Sequence, residues 1–508
     1  MTQADIDEGR LVATILRHVL ERPADIALSC GAQALSWADL RRDVLAASGA
    51  IAAACDRPVG RVALLGSIGT SLVTAYLGII AAGGCAVPLP VSAHPDALAG
   101  MLGDCAPDLV FVQDGYQPLL PPDPDAPIVV LGAEGGLPAS FTGGASPLAD
   151  AAAPPAETPF NIIYSSGTTG RAKGIVHSHA MRYRQAARAL FGMDATSTML
   201  LATPLYSNTT LMPMLATLFH GGRVVLMPKF DAETYLELAE RDGVTHTMLV
   251  PVQYRRILAA PGFGKRDLSA FKVKQCTGAP LPAADKRDIL ARWPGRFLEV
   301  YGLTEGGCTC ILDLSAFPDK AHTVGRPAAG NDIRIIDDTG GAVAAGERGE
   351  IIGRSATMMS GYFRNAEADR AFYWRDGDGT LFHRTGDIGL FDEDGFLVLL
   401  DRKKDMIISG GFNIYASDLE EKLLAHPEVA EAAVIGIPSE AWGETPLGLV
   451  VPRAGARLEA DTLREWVNGQ VGRTQRLSAI ELRADLPRNN AGKILKQDLR
   501  RPYWETNA

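Results

Sequence analysis

The sequence predicts an α/β protein with a large N-terminal domain and a smaller α+β C-terminal domain. The large domain is expected to hold two α/β sheets and a small β-rich subdomain. Three observations lead there. Short apolar runs at 223–226 and 247–250 flank an acidic helical pattern at 232–242, an alternation that marks largely parallel sheets covered on both faces. From Gly325 onward, short strand patterns at 332–337, 349–352 and 396–400 alternate with glycine turns, which gives the β-rich subdomain. The cluster Asp401-Arg402-Lys403-Lys404-Asp405 then separates two apolar strands and divides the chain into 1–401 and 402–508. A length of 508 residues also exceeds one ordinary core.

In order, residues 11–55 alternate helical patterns with an extended pair, 26–29 and 34–37, around the turn Cys30-Gly31-Ala32-Gln33. Ser36 is placed to cap the next helix. No charge occurs from 62 to 91, but glycines at 66, 69, 78, 83 and 84 and Pro88 interrupt the run. It reads as strand 62–65, helix 71–82 and strand 85–89, a buried βαβ element rather than a membrane span. Residues 121–159 turn to Ala, Pro, Gly and Asp, a surface connection with one short strand at 128–131. After 164–174, the stretch 175–190 is helix-compatible, which would put a helix N-terminus beside that loop. A strand at 198–202 and a helix over 205–219 follow. The last hundred or so residues read as helix 417–426, strands 432–437 and 447–451, and helix 458–469, with no repeat.

A net charge of −10 argues against a general nucleic-acid or anionic-membrane surface, while leaving room for a local basic pocket. Seven cysteines without a CxxC make no disulfide framework and fit a reducing, cytoplasmic setting. Cys308-Thr-Cys310 reads as packing near an active site, and His177-Ser-His179 as a helix start. The opening MTQADIDEGR is unlike a targeting peptide. A homodimer is compatible with these numbers.

The stretch 164–174, YSSGTTGRAKG, packs hydroxyls, three glycines and two cations behind an apolar run. Glycines let backbone N–H groups turn inward around a polyphosphate, and a lysine adds charge. It is not a Walker A loop, because Lys173 is followed by Gly174. Alone, it reads as a surface turn more readily than as a phosphate cradle. It is followed in order by YGLTE (301–305), RTGD (384–387), DRKKDMIISGGFN (401–413) and PRNNAGK (487–493). Together these resemble the ANL superfamily of adenylate-forming enzymes, which includes acyl- and aryl-CoA ligases, peptide-synthetase adenylation domains and firefly luciferase. The resemblance runs from about residue 35 to the end.

It implies an AMP-forming acid–CoA ligase using ATP, Mg²⁺ and coenzyme A, with the C-terminal domain turning between two half-reactions. By resemblance, Ser165, Ser166, Gly167, Thr168, Thr169, Gly170 and Lys173 would hold the phosphates. Gly278, Ala279, Pro280 and Gly302 would line the nucleotide pocket, and Tyr301 would stack on adenine. Asp387 would accept from the ribose hydroxyls, with Arg402 opposite. Thr304 would sit near the α-phosphate, Glu305 would place Mg²⁺, and Lys493 would contact the carboxylate and α-phosphate. Lys404 aligns with the hinge. Ser409, Gly410, Gly411 and Phe412 would border the pantetheine tunnel, while Trp442, Arg473 and Arg476 would meet the rest of CoA.

The acid pocket is read from Tyr206, Ser207, Asn208, Val252, Gly278, Leu303 and Cys308. These are mostly apolar or small, and Arg255 lies just outside the set, so a hydrophobic monocarboxylic acid, aromatic or fatty, is expected. Three departures stand out: Ser207 where many relatives have histidine, Ala172 where proline usually precedes the lysine, and 472–476 (GRTQR) near the CoA contacts. An adenylating enzyme that loads a carrier protein, and a non-catalytic nucleotide-binding regulator, remain as alternatives.

Overall fold

The computed structural model describes residues 9–505 except 56–57, 123–124, 133–136, 166–171, 189, 410–411, 473–474 and 489–491, and only the backbone of 412 and 413. The uncharged stretch is a buried βαβ unit. Strands Arg61–Leu65 and Cys85–Leu89 pair in parallel, and every residue of the connecting helix Thr70–Ala81 is buried. Among the described residues no helix is long and apolar enough to cross a membrane. Ser36 caps helix Trp37–Ala54 as expected: its Oγ accepts from Asp39 N at 3.1 Å, and Ser36 N donates to the Asp39 carboxylate at 3.2 Å.

That unit belongs to a seven-stranded sheet, which strand Pro159–Ser165 joins beside Cys85–Leu89. The next segment departs from expectation. Residues Lys173–Ser178 form a strand antiparallel to Pro159–Ser165, and the helix begins only at His179. Ile175 and Val176 pair across from Ile163 and Ile162 and are buried on the two faces of the sheet, and Gly361–Tyr362 pairs with them from the far edge. The short apolar run thus gains more from sheet burial than from a helix, and Ser178 caps the helix that follows by accepting from Met181 N.

The second large sheet has nine strands and is parallel from Arg296–Tyr301 through Val273–Cys276, His246–Leu249, Thr198–Leu201 and Arg223–Leu226 to Ile26–Cys30. A five-stranded antiparallel sheet, Asn331–Ile336, Gly349–Ser355, Tyr373–Arg375, Leu381–Phe391 and Leu397–Arg402, forms the β-rich part. The chain then crosses to a fourth sheet, entering it at Ile407–Ser409. This last sheet and helices Ala416–Leu424 and Ala460–Asn468 enclose their own apolar core, including Leu419, Val434, Leu463 and Val467.

Candidate active site

The loops Gly278-Ala279-Pro280 and 302–307 leave the same end of two parallel neighbours, Val273–Cys276 and Arg296–Tyr301. In open α/β sheets this carboxyl end is where ligand clefts form. Gly306 holds the second loop in a conformation open to glycine alone: its φ is +69°, and a Cβ there would lie 1.9 Å from the Thr357 carbonyl oxygen. The turn is clamped from several sides. Met359 N donates to the Glu305 carbonyl at 2.8 Å, and the Tyr362 hydroxyl donates to Glu305 Oε1 at 2.8 Å.

Thr304 is held by His177, whose Nε2 lies 2.7 Å from the Thr304 carbonyl. In the hairpin described above, Ser165 pairs opposite Lys173. Lys173 Nζ lies 5.3 Å from the centre of the Tyr362 ring, so the loop's lysine and Glu305 meet the same tyrosine. Ser166, Gly167, Thr168, Thr169 and Gly170 lie outside the described residues.

Asp387 is buried and accepts from the Tyr301 hydroxyl at 2.8 Å and from Arg402 Nε at 2.9 Å. Burial first, then the charge of Asp387, pushes the Tyr301 hydroxyl well above the usual phenol range, which keeps it a donor. Its ring packs with Cys308, Cys310, Val324 and Ile351. Tyr301 thus also carries the carboxylate, a role that the sequence reading did not assign to it.

Lys493 comes to the same place from the C-terminal lobe. Burial, with the nearby Arg402 charge, pushes its ammonium down to about 8 while Asp387 opposes the shift. The adjoining Gly492 has φ +76°, and a Cβ there would lie 2.9 Å from Val252 Cγ1 in the large domain. Arg488 braces this turn, donating to the Gly492 carbonyl at 2.7 Å and to Glu431 at 2.7 Å. Lys404 lies in the crossing segment, its carbonyl accepting from Arg500 at 3.1 Å. Its neighbour Lys403 reaches Asp338 at 2.9 Å and Glu350, which also pairs with Arg384.

Of the residues expected around CoA, Ser409 is opposite Gly443 in the sheet, and Trp442 is 60% exposed, the most exposed tryptophan of the described chain. Arg476 is exposed; Gly410, Gly411, the Phe412 side chain and Arg473 lie outside the described residues. In the acid-pocket set, the Tyr206 hydroxyl is 3.3 Å from Ser92 Oγ, and Ser207 caps helix Asn208–Phe219. Val252, Leu303 and Ala279 are half-buried, while Gly278, Pro280 and Gly302 are exposed.

Cys308 needs correcting. It is fully buried against Gly353 in the core between the 296–301 strand and the β-rich sheet, so its thiol does not line an acid pocket. Arg255 faces outward and pairs with Asp285 at 2.6 Å. Three residues escaped the sequence reading: His177, Arg182 and Tyr362. In the sequence His177 reads only as part of a helix start, and nothing local marks Tyr362.

No cluster of His, Cys, Asp or Glu among the described residues is arranged to hold a metal by itself. Glu305 fits a magnesium ion that takes its other ligands from phosphate and water, since Oε2 has no hydrogen bond among the described residues.

The family model "AMP-binding enzyme" matches residues 15–363, and "AMP-binding enzyme C-terminal domain" matches 418–493. A feruloyl-CoA synthase from an Amycolatopsis species is 33% identical over 501 residues, covering 96% of this chain and 98% of the relative. A fatty acid–[acyl-carrier-protein] ligase, ScoC, from Streptomyces coeruleorubidus is 30% identical over 523 residues, covering 98% and 97%. The crystal structure of ATP-bound MatB from Rhodopseudomonas palustris, 28% identical, superposes with a TM-score of 0.86 over 98% of this chain and 100% of that one. Apo MatB, at 29% identity and the same coverage, gives 0.74.

Proposed function

We infer that this chain, which belongs to the AMP-binding enzyme family, is an AMP-forming acid–CoA ligase for a hydrophobic aromatic or fatty acid. The chemistry has two steps. A carboxylate oxygen of the acid attacks the α-phosphorus of ATP, and the bond to the bridging oxygen breaks to release pyrophosphate. The CoA sulfur then attacks the acyl carbon of the adenylate, and AMP leaves.

The observation that carries the division of labour is Lys493 beside the Asp387–Arg402 pair. In the first step two anions must approach, so a cation held over the reacting phosphate offsets their repulsion. Lys493 supplies it from the tail lobe, Asp387 accepts from the ribose hydroxyls, and Thr304 steadies the α-phosphate. Lys173 and the glycine-rich loop take the β- and γ-phosphates. Glu305 would hold Mg²⁺, which neutralises triphosphate charge when bound. The higher TM-score against ATP-bound than against apo MatB supports reading this lobe arrangement as the adenylating one.

For the second step the tail lobe turns at Lys404, withdrawing Lys493 and bringing the 409–413 loop and Trp442 to the acyl group. A histidine after Tyr206 takes no part, since Ser207 stands there as a helix cap. The seven cysteines, all unpaired thiols, support a reducing cytoplasmic setting.

A coupled AMP-release screen across benzoates, cinnamates and fatty acids of graded length, run with and without CoA, tests the reading. It expects AMP and acyl-CoA to form together with at least one acid. Pyrophosphate release that CoA cannot convert to acyl-CoA would instead support a carrier-protein loader, the activity named for ScoC.

A further inference from the structure

Arg182 is fully buried, yet no carboxylate among the described residues is bonded to it. Its guanidinium donates instead to neutral groups: Nε to Asn161 Oδ1 at 2.8 Å, and Nη1 to Gln185 Oε1 at 2.6 Å and Asn208 Oδ1 at 2.7 Å. Nη2 lies 2.9 Å from His177 Nδ1. A buried cation without a counter-charge is costly, and an apolar side chain would fill the same space more cheaply. The charge must therefore serve something beyond packing.

The bond directions show what. Asn161 accepts from Arg182 with its oxygen, so its amide nitrogen is the atom 3.2 Å from His177 Nδ1. Two donors thus converge on Nδ1, which has to be the unprotonated nitrogen. The proton sits on Nε2 and is donated to the Thr304 carbonyl at 2.7 Å. Burial, then the charge of Arg182, holds the imidazole neutral, well below its usual range. The ring therefore has one tautomer and one orientation. Through Asn208, the same guanidinium also grips the first residue of helix Asn208–Phe219, just after Tyr206 and Ser207.

Resting on the ligase reading above, we propose that Arg182 and His177 are positioning residues that tie the acid side of the cleft to the nucleotide side. Arg182 sets the start of the helix behind the acid pocket and the tautomer of His177, and His177 sets the Thr304 peptide that faces the α-phosphate. Neither touches the reacting atoms. Alignment of carboxylate and phosphorus depends on both, whereas thioester formation makes no bond at phosphorus.

The test separates the half-reactions in His177→Leu, His177→Gln and Arg182→Met. Each is assayed for acid-dependent exchange of pyrophosphate into ATP, for conversion of chemically prepared acyl-adenylate and CoA to acyl-CoA, and for cooperative unfolding. Losing a buried donor to Thr304 is expected to slow exchange in His177→Leu roughly tenfold or more, with acyl-CoA formation from the adenylate within about twofold of wild type. Gln can present a nitrogen donor near the Nε2 position and an acceptor to Arg182, so His177→Gln should recover most of the exchange. Arg182→Met should show the same selective loss, and if it fails to fold the His177 pair carries the test alone. Wild-type exchange in His177→Leu, equal loss in both half-reactions, or no recovery in His177→Gln overturns the proposal. A wild-type chain that shows no exchange with any acid overturns the ligase reading and this inference with it.

Discussion

On the large-domain wall of the cleft, Thr304, Glu305 and Asp387 are each tied by side chains from distant parts of the chain: His177, Tyr362, and the pair Tyr301 and Arg402. On the facing wall, Lys493 arrives on a turn that meets the large domain where Gly492 touches Val252, and its lobe has a separate core. One wall is preorganised, and on the proposed two-step reading the other is the one that leaves. A first step that needs exact placement of two anions suits a fixed wall, while a second step that must admit a thiol suits a wall that withdraws.

Removing the cation that Lys493 brings from the tail lobe gives the largest expected effect. Lys493→Ala should slow acid-dependent pyrophosphate exchange on the order of 10²–10³-fold. Conversion of added acyl-adenylate to acyl-CoA should persist, because that step does not use the lysine. Equal loss in both assays would erase the distinction between the walls.

The pH profile sharpens it next. With its folded pKa pushed down to about 8, Lys493 loses its proton as pH rises through that value. The kcat/KM for ATP in the exchange reaction should therefore fall about tenfold per unit above the midpoint. Lys493→Arg, if it retains measurable exchange, should move that limb upward, since a guanidinium stays charged. On the fixed wall, Tyr362→Phe keeps the ring under Lys173 but removes the donor to Glu305. Its KM for magnesium-ATP should rise about fivefold, with the alkaline limb unchanged. Trp442→Ala should act only in the second step, raising KM for CoA about threefold while exchange stays at the wild-type rate. A change in exchange would place Trp442 outside the thiol step.

Much of the framework could be read from local pattern, and the limits were physical. The βαβ unit at Arg61–Leu65 and Cys85–Leu89 and the cap at Ser36 rest on interactions within a few dozen residues. The strand Lys173–Ser178 was misread because its short apolar run suits either helix or sheet, and its deciding partner, Gly361–Tyr362, lies far along the chain. The motifs named Asp387, Glu305 and Lys493 as candidates but not what holds them. Arg182 falls in a stretch that reads only as helix-compatible, and the assembled fold reveals it as buried. Cys308 looked like a pocket residue by proximity to Thr304, yet the turn at Gly306 and Gly307 directs it into the core.

The contact between Gly492 and Val252 allows the most direct test of the two-wall account. A Cβ at 492 would lie 3.5 Å from Val252 Cβ, close to the separation of about 3.8 Å typical of a disulfide. The double variant Val252→Cys/Gly492→Cys, oxidised, would hold Lys493 in the cleft. We expect it to keep acid-dependent pyrophosphate exchange, to lose acyl-CoA formation, and to regain that step on reduction. Acyl-CoA production at the reduced rate while the crosslink is intact, or loss of exchange that reduction restores, would contradict the account.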